Sequence, residues 1–574
     1  MSGVQFDLVV RSGRVLDGSG GDAFEADVGI RGGKIAAIGP HLNGRADEEV
    51  DATGLLVTPG FVDIHTHYDA QVTWDPEVSP SGWHGVTTAV MGNCGVGFAP
   101  VREADRKWLI GLMEGVEDIP GAAMTEGMVW AWESFPEYLD ALDRLPLCID
   151  IATQIPHGAL RTYVMGRRGA KQAEPEASEL ERMGEIVEEA IRAGALGFST
   201  SRTLIHKGID GEHVPGTFAG RDEMYAVSRA MQRAGAGVFQ LTSNHVDMSK
   251  EFDWFVEMAK ETGRPVSFNL LQVDQAPELW RELLDKLDAN PDAPVFAQVA
   301  GRPNGILMTW GGTAHPFLVY PSYMPLHHLR VDERLAKIRE AGFRDKLIAE
   351  TPFSVGEFED FIMNSFDKMY RLGKEPDYEP EPSQSAAALA KARGCSPKEI
   401  VFDWLMEDDG HGIVYFPIFG YSHANMDALH TLLSHPRTRL GLGDGGAHVG
   451  VVCDASIQSF MLTHWTKERS RGARLPLAQV IKTMTADTAE AYGLLDRGRL
   501  APGYRADVNL IDYEALKLHA PYMAHDLPTD AKRLLQRSTG IRKTFVAGQL
   551  AFEDGRATGA RVGKLIRGPQ PAPV

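Results

Sequence analysis

The stretch Thr58-Pro-Gly-Phe-Val-Asp-Ile-His-Thr-His-Tyr-Asp69 is the starting point for predicting the fold of this 574-residue chain. Its first half has the apolar character of a buried strand, and the strand ends at two histidines. Side chains on a strand alternate between faces, so His65 and His67 point the same way, about 7 Å apart along the backbone. Two imidazoles on one face at a strand end favour a metal site over two unrelated surface histidines.

Short apolar segments alternate with helical ones through the middle of the chain, as in parallel α/β folds. Predicted helices include residues 179–193, 221–234 and 426–434. Eight such alternations favour a (β/α)8, TIM-like barrel over a doubly wound sheet, and they place His65 and His67 at the catalytic end of the first strand. The predicted strands are 58–67, 86–93, 148–155, 195–201, 238–244, 266–271, 412–419 and 439–443.

Both ends of the chain have the pattern of short antiparallel strands and hairpins. We therefore expect residues 1–57 and 496–574 to form one small β-sandwich, and residues 58–495 to form the barrel. An insertion at about 272–411 is longer than one crossover requires and is expected to cap the catalytic face. It carries four aromatic residues that either form its own small core or line an apolar pocket: Trp310, Phe317, Tyr320 and Tyr323.

The composition, 43% hydrophobic and 24% charged, excludes wholesale disorder, a collagen-like fibre and a disulfide-dense mini-domain. Because 58 Lys and Arg face 78 Asp and Glu, the net charge is −20, which argues against nucleic acid or an anionic membrane as a partner. The four cysteines form no CxxC pair, and we find neither a signal-peptide pattern nor a transmembrane run. We expect a cytoplasmic protein whose oligomeric state the sequence does not fix.

Two further strand ends carry candidate metal ligands. Cys94 lies in Met91-Gly-Asn-Cys-Gly95 after the second strand, and Asp444 lies in Leu440-Gly-Leu-Gly-Asp-Gly-Gly-Ala-His-Val449 after the last. A lone cysteine is most often a small buried hydrophobe, but a thiolate at this place binds zinc strongly. Asp444 either caps its loop or faces the same metal, where it also accepts a proton from water.

These motifs, in this order, resemble the amidohydrolase superfamily and, within it, the D-aminoacylase (N-acyl-D-amino-acid deacylase) family. The His-x-His pair belongs to the whole superfamily, whereas Asn93-Cys-Gly95 narrows the resemblance to this branch. The resemblance covers nearly the whole chain and includes His157-Gly-Ala-Leu-Arg161, Gly194-Ala-Leu-Gly-Phe-Ser-Thr200 and Leu500-Ala-Pro-Gly-Tyr-Arg-Ala-Asp507. It implies a metal-bearing barrel with a small β-sandwich built from both termini.

The chain departs from this family at three strands. Thr242 stands where the family places a histidine on the fifth strand, with His245 three positions later as a reserve ligand. The sixth strand contains no histidine, and the fourth contains no lysine that can be carboxylated to bridge two metals. One Zn²⁺ is therefore favoured over two. Its expected ligands are His65, His67, Cys94 and Asp444.

The resemblance implies hydrolysis of the amide bond of an N-acyl amino acid, with the D configuration favoured, or of a related small amide. Zinc activates a water molecule, Asp444 accepts its proton, and the protonated aspartate then serves the leaving amine. Other residues are candidates for contacts with the substrate, each also explicable as a structural residue: His157, Arg161, Arg202, His206 and His448.

Two other functions stay open from the sequence. The same site can hydrolyse a cyclic amide or an ester, and the absence of the two strand histidines makes such a change of substrate more plausible. A barrel without catalysis can also serve binding or assembly. The joint presence of two histidines, a cysteine and an aspartate at strand ends speaks against this second alternative, because nothing structural requires that set.

Overall fold

The computed structural model describes residues 5–574, in which parallel strands form two sheets joined by one stretch of chain. The three-stranded sheet contains Phe61–Asp63, Val86–Met91 and Asp150–Thr153. Only Gln154 separates its last strand from the first strand of the other sheet. That six-stranded sheet has the order Ile155–Pro156, Gly197–Ser201, Val238–Thr242, Val266–Asn269, Val295–Val299 and Thr438–Leu440.

The carboxyl ends of the first and last parallel strands lie side by side. Thr66 and Gly445, just beyond these strands, form a parallel bridge. The amide of His67 donates to the carbonyl of Gly445 at 2.7 Å, and the amide of Asp444 donates to the carbonyl of His65 at 3.1 Å. Residues far apart in the sequence are thereby fixed next to each other by backbone hydrogen bonds.

The predicted seventh parallel strand, 412–419, is wrong. Ile413–Pro417 is instead the central strand of an antiparallel sheet, between Gly305–Met308 and Tyr370–Leu372. The seventh parallel strand is Val295–Val299, which lies inside the range predicted as an insertion. Both segments are apolar and buried, and periodicity alone does not distinguish the centre of a small antiparallel sheet from a strand of a parallel one.

Strands from both ends of the chain pair in one nine-stranded sheet. Val508–Ile511 pairs antiparallel with Leu56–Pro59, and only Gly60 separates the latter from the first parallel strand. This sheet is therefore tied directly to the strand that carries the two histidines. Its strands in order are Arg556–Ala557, Gln549–Glu553, Ile541–Val546, Val508–Ile511, Leu56–Pro59, Gln5–Val15, Phe24–Arg31 and Lys34–Gly39, with Arg45–Asp51 beside Gln5–Val15. The division into domains stays a prediction.

Helices occupy most of the connections between the parallel strands, which makes the fold mixed α/β. The three predicted helices are confirmed as Ala177–Ala193, Arg221–Ala234 and Asp427–Ser434. The other α-helices of six or more residues are Arg106–Glu117, Gly121–Gly127, Phe135–Asp143, His157–Met165, Ser249–Thr262, Leu279–Asp288, Val331–Ile338, Phe343–Ala349, Glu357–Asn364, Ala386–Arg393, Pro397–Leu405, Leu477–Met484 and Ala486–Ala491. Among residues 5–574, none of the helices combines the length and the apolar character needed to cross a bilayer.

The segment between the seventh and eighth parallel strands has a hydrophobic core of its own. Trp310 is fully buried there, with ring centroids of Phe317 and Tyr323 at 5.6 and 5.5 Å. Tyr320 packs against Phe317 in the same cluster. Of the two roles considered for these aromatic residues, the structure supports the separate core.

Candidate metal centre

Three predicted metal ligands meet at the carboxyl ends of the first two parallel strands. His65 and His67 leave the same strand on one face, and their ring centroids are 5.5 Å apart. Nε2 of His65 lies 3.3 Å from Sγ of Cys94. One potential ligand atom from each of the three side chains lies within 4.8 Å of the others, and all three side chains are buried. The arrangement is that of a compact site with two nitrogen donors and one sulfur donor.

Asp444 completes this group from the last strand. Its Oδ1 lies 3.4 Å from Nε2 of His65 and 3.7 Å from Nε2 of His67. The pairing of the first and last strands is the reason for this approach, because it brings the Asp444 backbone against that of His65. We refer to His65, His67, Cys94 and Asp444 together as the four-ligand centre.

Two members of the centre have strained backbones. Cys94 has φ 55° and Asp444 has φ 46°, in the left-handed region that non-glycine residues rarely adopt. Gly95, with φ 72°, follows the cysteine where an added Cβ would lie 2.8 Å from the amide nitrogen of Ser201. Such strain persists only where the surrounding structure holds it in place, and it is concentrated at functional sites.

Each histidine has a partner on its far side. Nδ1 of His65 donates to Oε1 of Gln298 at 2.7 Å, which leaves Nε2 facing Cys94. Nδ1 of His67 lies 3.2 Å from Oε1 of Glu117, a buried carboxylate at ion-pair distance but outside hydrogen-bond geometry. Partners of this kind fix the orientation of metal-binding imidazoles and raise their basicity.

The charges of the centre depend on one another. Burial alone would raise the pKa of the Cys94 thiol, but the neighbouring His65 and His67 lower it to about 7. Burial also opposes ionisation of Asp444, yet His67 and His65 hold the pKa of its carboxyl well below its ordinary value. The pKa of His65 rises to about 8 because the effect of Cys94 and Asp444 exceeds that of burial.

This donor set fits a bound cation. Three acidic groups converge on the two imidazoles: Cys94, Asp444 and Glu117. Without a metal, protons on the two rings are what offsets the negative charge of these groups. Both carboxylate oxygens of Glu117 are buried without a hydrogen-bond partner. Nitrogen, thiolate and carboxylate donors together are the ligands of zinc. Buried anionic groups without hydrogen-bond partners favour the binding of a divalent ion at the centre.

The fifth and sixth parallel strands supply hydrogen bonds to the centre. Thr242 donates its hydroxyl to Sγ of Cys94 at 3.1 Å, and Asn269 donates to that hydroxyl at 3.1 Å. Gln240 bonds to Asn269 and accepts from the Cys94 amide. His245, the reserve ligand, does not join the group of donor atoms and lies instead beside Phe419 in the cavity described next.

A cavity of about 380 Å³ opens onto the centre. Three of the predicted substrate-contacting or reserve histidines line it: His206, His245 and His448. Burial lowers the pKa of His206 to about 3 and that of His245 to about 4, so both rings are neutral near pH 7. Nε2 of His448 lies 3.4 Å from Oε2 of Glu117, which connects this histidine to His67 through one carboxylate.

The other three predicted substrate-binding residues do not reach this cavity. His157 and Arg161 both pair with the buried carboxylate of Glu223, at 2.9 and 3.1 Å. Arg202 forms two hydrogen bonds from Nε to the carboxylate of Glu251, at 2.8 and 2.9 Å. Arg202 directly follows the fourth strand, as the sequence indicates, but its guanidinium is directed to Glu251.

Glu117 is the residue that the sequence reasoning missed. It ends the helix Arg106–Glu117, on the same face as Leu109 and Met113, and its side chain is 1% exposed. A negative charge at a helix carboxyl end is disfavoured by the helix dipole, and a buried one is more costly still. The sequence does contain one signal for Glu117, namely a glutamate on the apolar face of a helix. This signal indicates a buried carboxylate but does not identify His67 as its partner.

Comparison with known proteins finds a matching family and several relatives. A model described as "Amidohydrolase family" matches residues 48–552. D-aminoacylase of Alcaligenes xylosoxydans xylosoxydans is 28% identical over 574 residues, covering 98% of this chain and 97% of its own. A solved D-aminoacylase structure, described by its binuclear metal centre, aligns with TM-score 0.64 and 22% identity over 98% of this chain and 100% of its own. N-acyl-D-glutamate deacylase from Bordetella bronchiseptica, complexed with zinc and a phosphonate inhibitor, aligns with TM-score 0.65 and 23% identity over the same shares. These structures show a shared fold.

We expect Glu117→Gln to weaken zinc binding by about 10- to 100-fold, because it removes the charge behind His67 while keeping the side-chain size. Competition with a chelator of known zinc affinity measures this change. Glu126→Gln, at an exposed position in the helix Gly121–Gly127, is the matched control and should bind zinc as the unmodified protein does. Equal affinity in both variants would contradict the positioning role of Glu117.

Proposed function

The chain belongs to the amidohydrolase family, and from that premise we propose that it cleaves the amide bond of an N-acyl amino acid or a related small amide by metal-dependent hydrolysis. It is a hydrolase that acts on carbon–nitrogen bonds other than peptide bonds. The observation that carries the proposal is the convergence of the four-ligand centre on one cavity. The D-aminoacylase relative supports the D configuration for the amino acid.

The proposed architecture of the site is a closed (β/α)8 barrel. Asp150–Thr153 and Ile155–Pro156 count as one strand here, because only Gln154 separates them. Eight parallel strands then follow one another from Phe61–Asp63 to Thr438–Leu440, and the bridge between Thr66 and Gly445 connects the last of them back to the first. The overall likeness to the solved relatives supports this proposal. In such a barrel the carboxyl ends of the strands form the catalytic face, where all four proposed ligands are located.

His65, His67, Cys94 and Asp444 would hold the metal, for which we propose zinc. When bound, zinc acts as a Lewis acid that activates water and polarises a carbonyl group. Gln298 and Glu117 hold the two imidazoles in the orientation that this binding needs. The low pKa of Asp444 keeps its carboxylate ionised at neutral pH, so it is available as a proton acceptor.

Asp444 is the proposed general base and acid. Its carboxylate is at the floor of the cavity, 14% exposed, beside both metal-binding histidines. It accepts a proton from the attacking water and delivers it to the nitrogen of the cleaved amide, so that an acid and an amine leave. His448 lines the same cavity and is the proposed hydrogen-bond donor to the negative charge that develops on the carbonyl oxygen.

One metal per chain is proposed rather than two. The hydroxyl of Thr242 donates a hydrogen bond to the Cys94 sulfur and occupies one side of it. Asn269 and Gln240 are committed to hydrogen bonds around the same hydroxyl. The solved D-aminoacylase is described by one-metal activation and second-metal attenuation, which is consistent with catalysis at a single ion.

Hydrolysis of a cyclic amide or an ester remains the second candidate. In the family that the sequence resembles, the fifth and sixth strands carry metal-binding histidines. In this chain the two strands carry Thr242 and Asn269 instead, so the surroundings of the scissile bond differ from those of the family. A change in these surroundings alters which substrate fits while leaving the proton acceptor Asp444 in place.

Metal-free protein is expected to regain full activity with one equivalent of Zn²⁺ per chain, since the described residues that line the cavity provide one such donor set. The measurement is activity against added zinc, together with the bound metal content. Activity that rises until two equivalents are bound would contradict the single-metal proposal. Protein that contains no metal and gains no activity after zinc addition would contradict the metal-dependent reaction itself.

Asp444→Asn is expected to fold normally and to lose about 10²- to 10⁴-fold in kcat, because the amide cannot accept the proton. Steady-state kinetics at saturating zinc measures the loss, and circular dichroism checks the fold. Asp253→Asn is the control, because this carboxylate lies 73% exposed on the helix Ser249–Thr262. Turnover of the Asp444 variant at the control rate would remove its proposed role.

A panel of N-acyl-D-amino acids, their L-isomers, cyclic imides and aryl esters tests the reaction class. We expect the linear D-amides to give the highest kcat/KM, as the D-aminoacylase relative suggests. Turnover of cyclic imides alone or of esters alone would favour the second candidate. Hydrolysis of L-isomers alone would contradict the D configuration.

A further inference from the structure

We propose that the cavity selects an uncharged amide, one whose carboxylate is absent or capped and which carries an apolar group. This inference rests on the proposed function and names the substrate class of the same site. It follows from the charges and the apolar surface that the cavity presents, described in the next three paragraphs.

The walls of the cavity are largely apolar. Ile205 comes from the loop after the fourth parallel strand, and Leu271 follows the sixth strand. The segment between the seventh and eighth strands adds Ile306, Phe358 and Phe419. These side chains surround the space opposite the four-ligand centre, so a group placed there is removed from water. Burial of apolar area favours binding by about 25 cal/mol per Å², whereas burial of an unpaired charge is costly.

The lining of the cavity offers no lysine or arginine among the described residues. Outside the four-ligand centre, its acidic lining residue is Asp118. A substrate carboxylate placed against the apolar walls therefore finds no lysine or arginine to pair with it, and burial of an unpaired charge is costly.

The nearest candidate cations are committed elsewhere. Arg202 is paired with Glu251, and Arg161 is paired with Glu223. Lys532 donates to the backbone carbonyls of Gly311 and Gly312, and its charge acts on the carboxyl of Asp118. The neutral rings of His206 and His245 supply no charge. These two arginines and the lysine are thus held in contacts with other groups of the protein.

Matched substrates test this selection. N-acetyl-D-leucinamide and N-acetyl-D-leucine differ only in the capped carboxylate, and N-acetyl-D-glutamate adds a second one. Acetate is released from all three and is measured in the same assay. We expect kcat/KM to fall in that order, with the capped compound at least about tenfold above the free acid. Equal or higher kcat/KM for the free acids would overturn the inference.

A variant that adds a cation to the wall tests the cause. Ile205 is 41% exposed at the mouth, so Ile205→Arg should fold and should raise kcat/KM for N-acetyl-D-leucine relative to the amide by about tenfold. Leu204, 46% exposed on the same loop but not lining the cavity, gives the matched control Leu204→Arg, which should leave the preference unchanged. The same preference in both variants, or no change in Ile205→Arg, would overturn the inference.

Failure of this inference is distinguishable from failure of the proposed function. No acetate from any of the three compounds with zinc-loaded protein would contradict the proposed hydrolysis. Calorimetry with the unmodified zinc-loaded protein then still decides the question of charge, because none of the three compounds is turned over. A lower dissociation constant for the leucinamide than for the free acid would support the inference, and the reverse order would overturn it.

Discussion

The backbone pairing between the first and last parallel strands is the constraint on which the site depends. Two hydrogen bonds, from His67 to Gly445 and from Asp444 to His65, connect strands that are separated by most of the chain. They bring the carboxylate against both imidazoles through backbone contacts just beyond the ends of the two strands. The entropy of assembling the ligands is therefore lost when the chain folds, and metal binding does not have to supply it.

The same constraint forces buried charges together. Cys94 and Asp444 are held against two imidazoles by backbones in the left-handed region, and Glu117 adds a carboxylate at the carboxyl end of its helix, where the dipole is unfavourable. Each of these features costs stability on its own. The proposed divalent ion would offset the buried charges among them, which gives a reason why charged groups from three separate parts of the fold meet at this point.

The residues that the sequence identified are those that end strands. His65, Cys94 and Asp444 each follow an apolar strand, and the rule that parallel strands direct their carboxyl ends to one face is enough to bring them together. The sequence did not predict the roles of Gln298 and Glu117. Gln298 lies inside a buried strand and Glu117 lies on an apolar helix face, and at such positions the sequence does not indicate which residue the side chain contacts. The strand Ile413–Pro417 was assigned to the wrong sheet, because its apolar pattern does not indicate whether it pairs in a parallel or an antiparallel sheet.

The residues proposed for catalysis and those proposed to select the substrate lie on different parts of the fold. The proposed metal ligands follow the ends of the parallel strands, whereas Ile306, Phe358 and Phe419 come from the segment between the seventh and eighth strands. That segment has its own core around Trp310, so its wall residues are supported independently of the centre. Substitutions in the wall can therefore change which molecule fits without moving Asp444 or the imidazoles. A family with one hydrolytic centre and many substrates is the expected result of this separation.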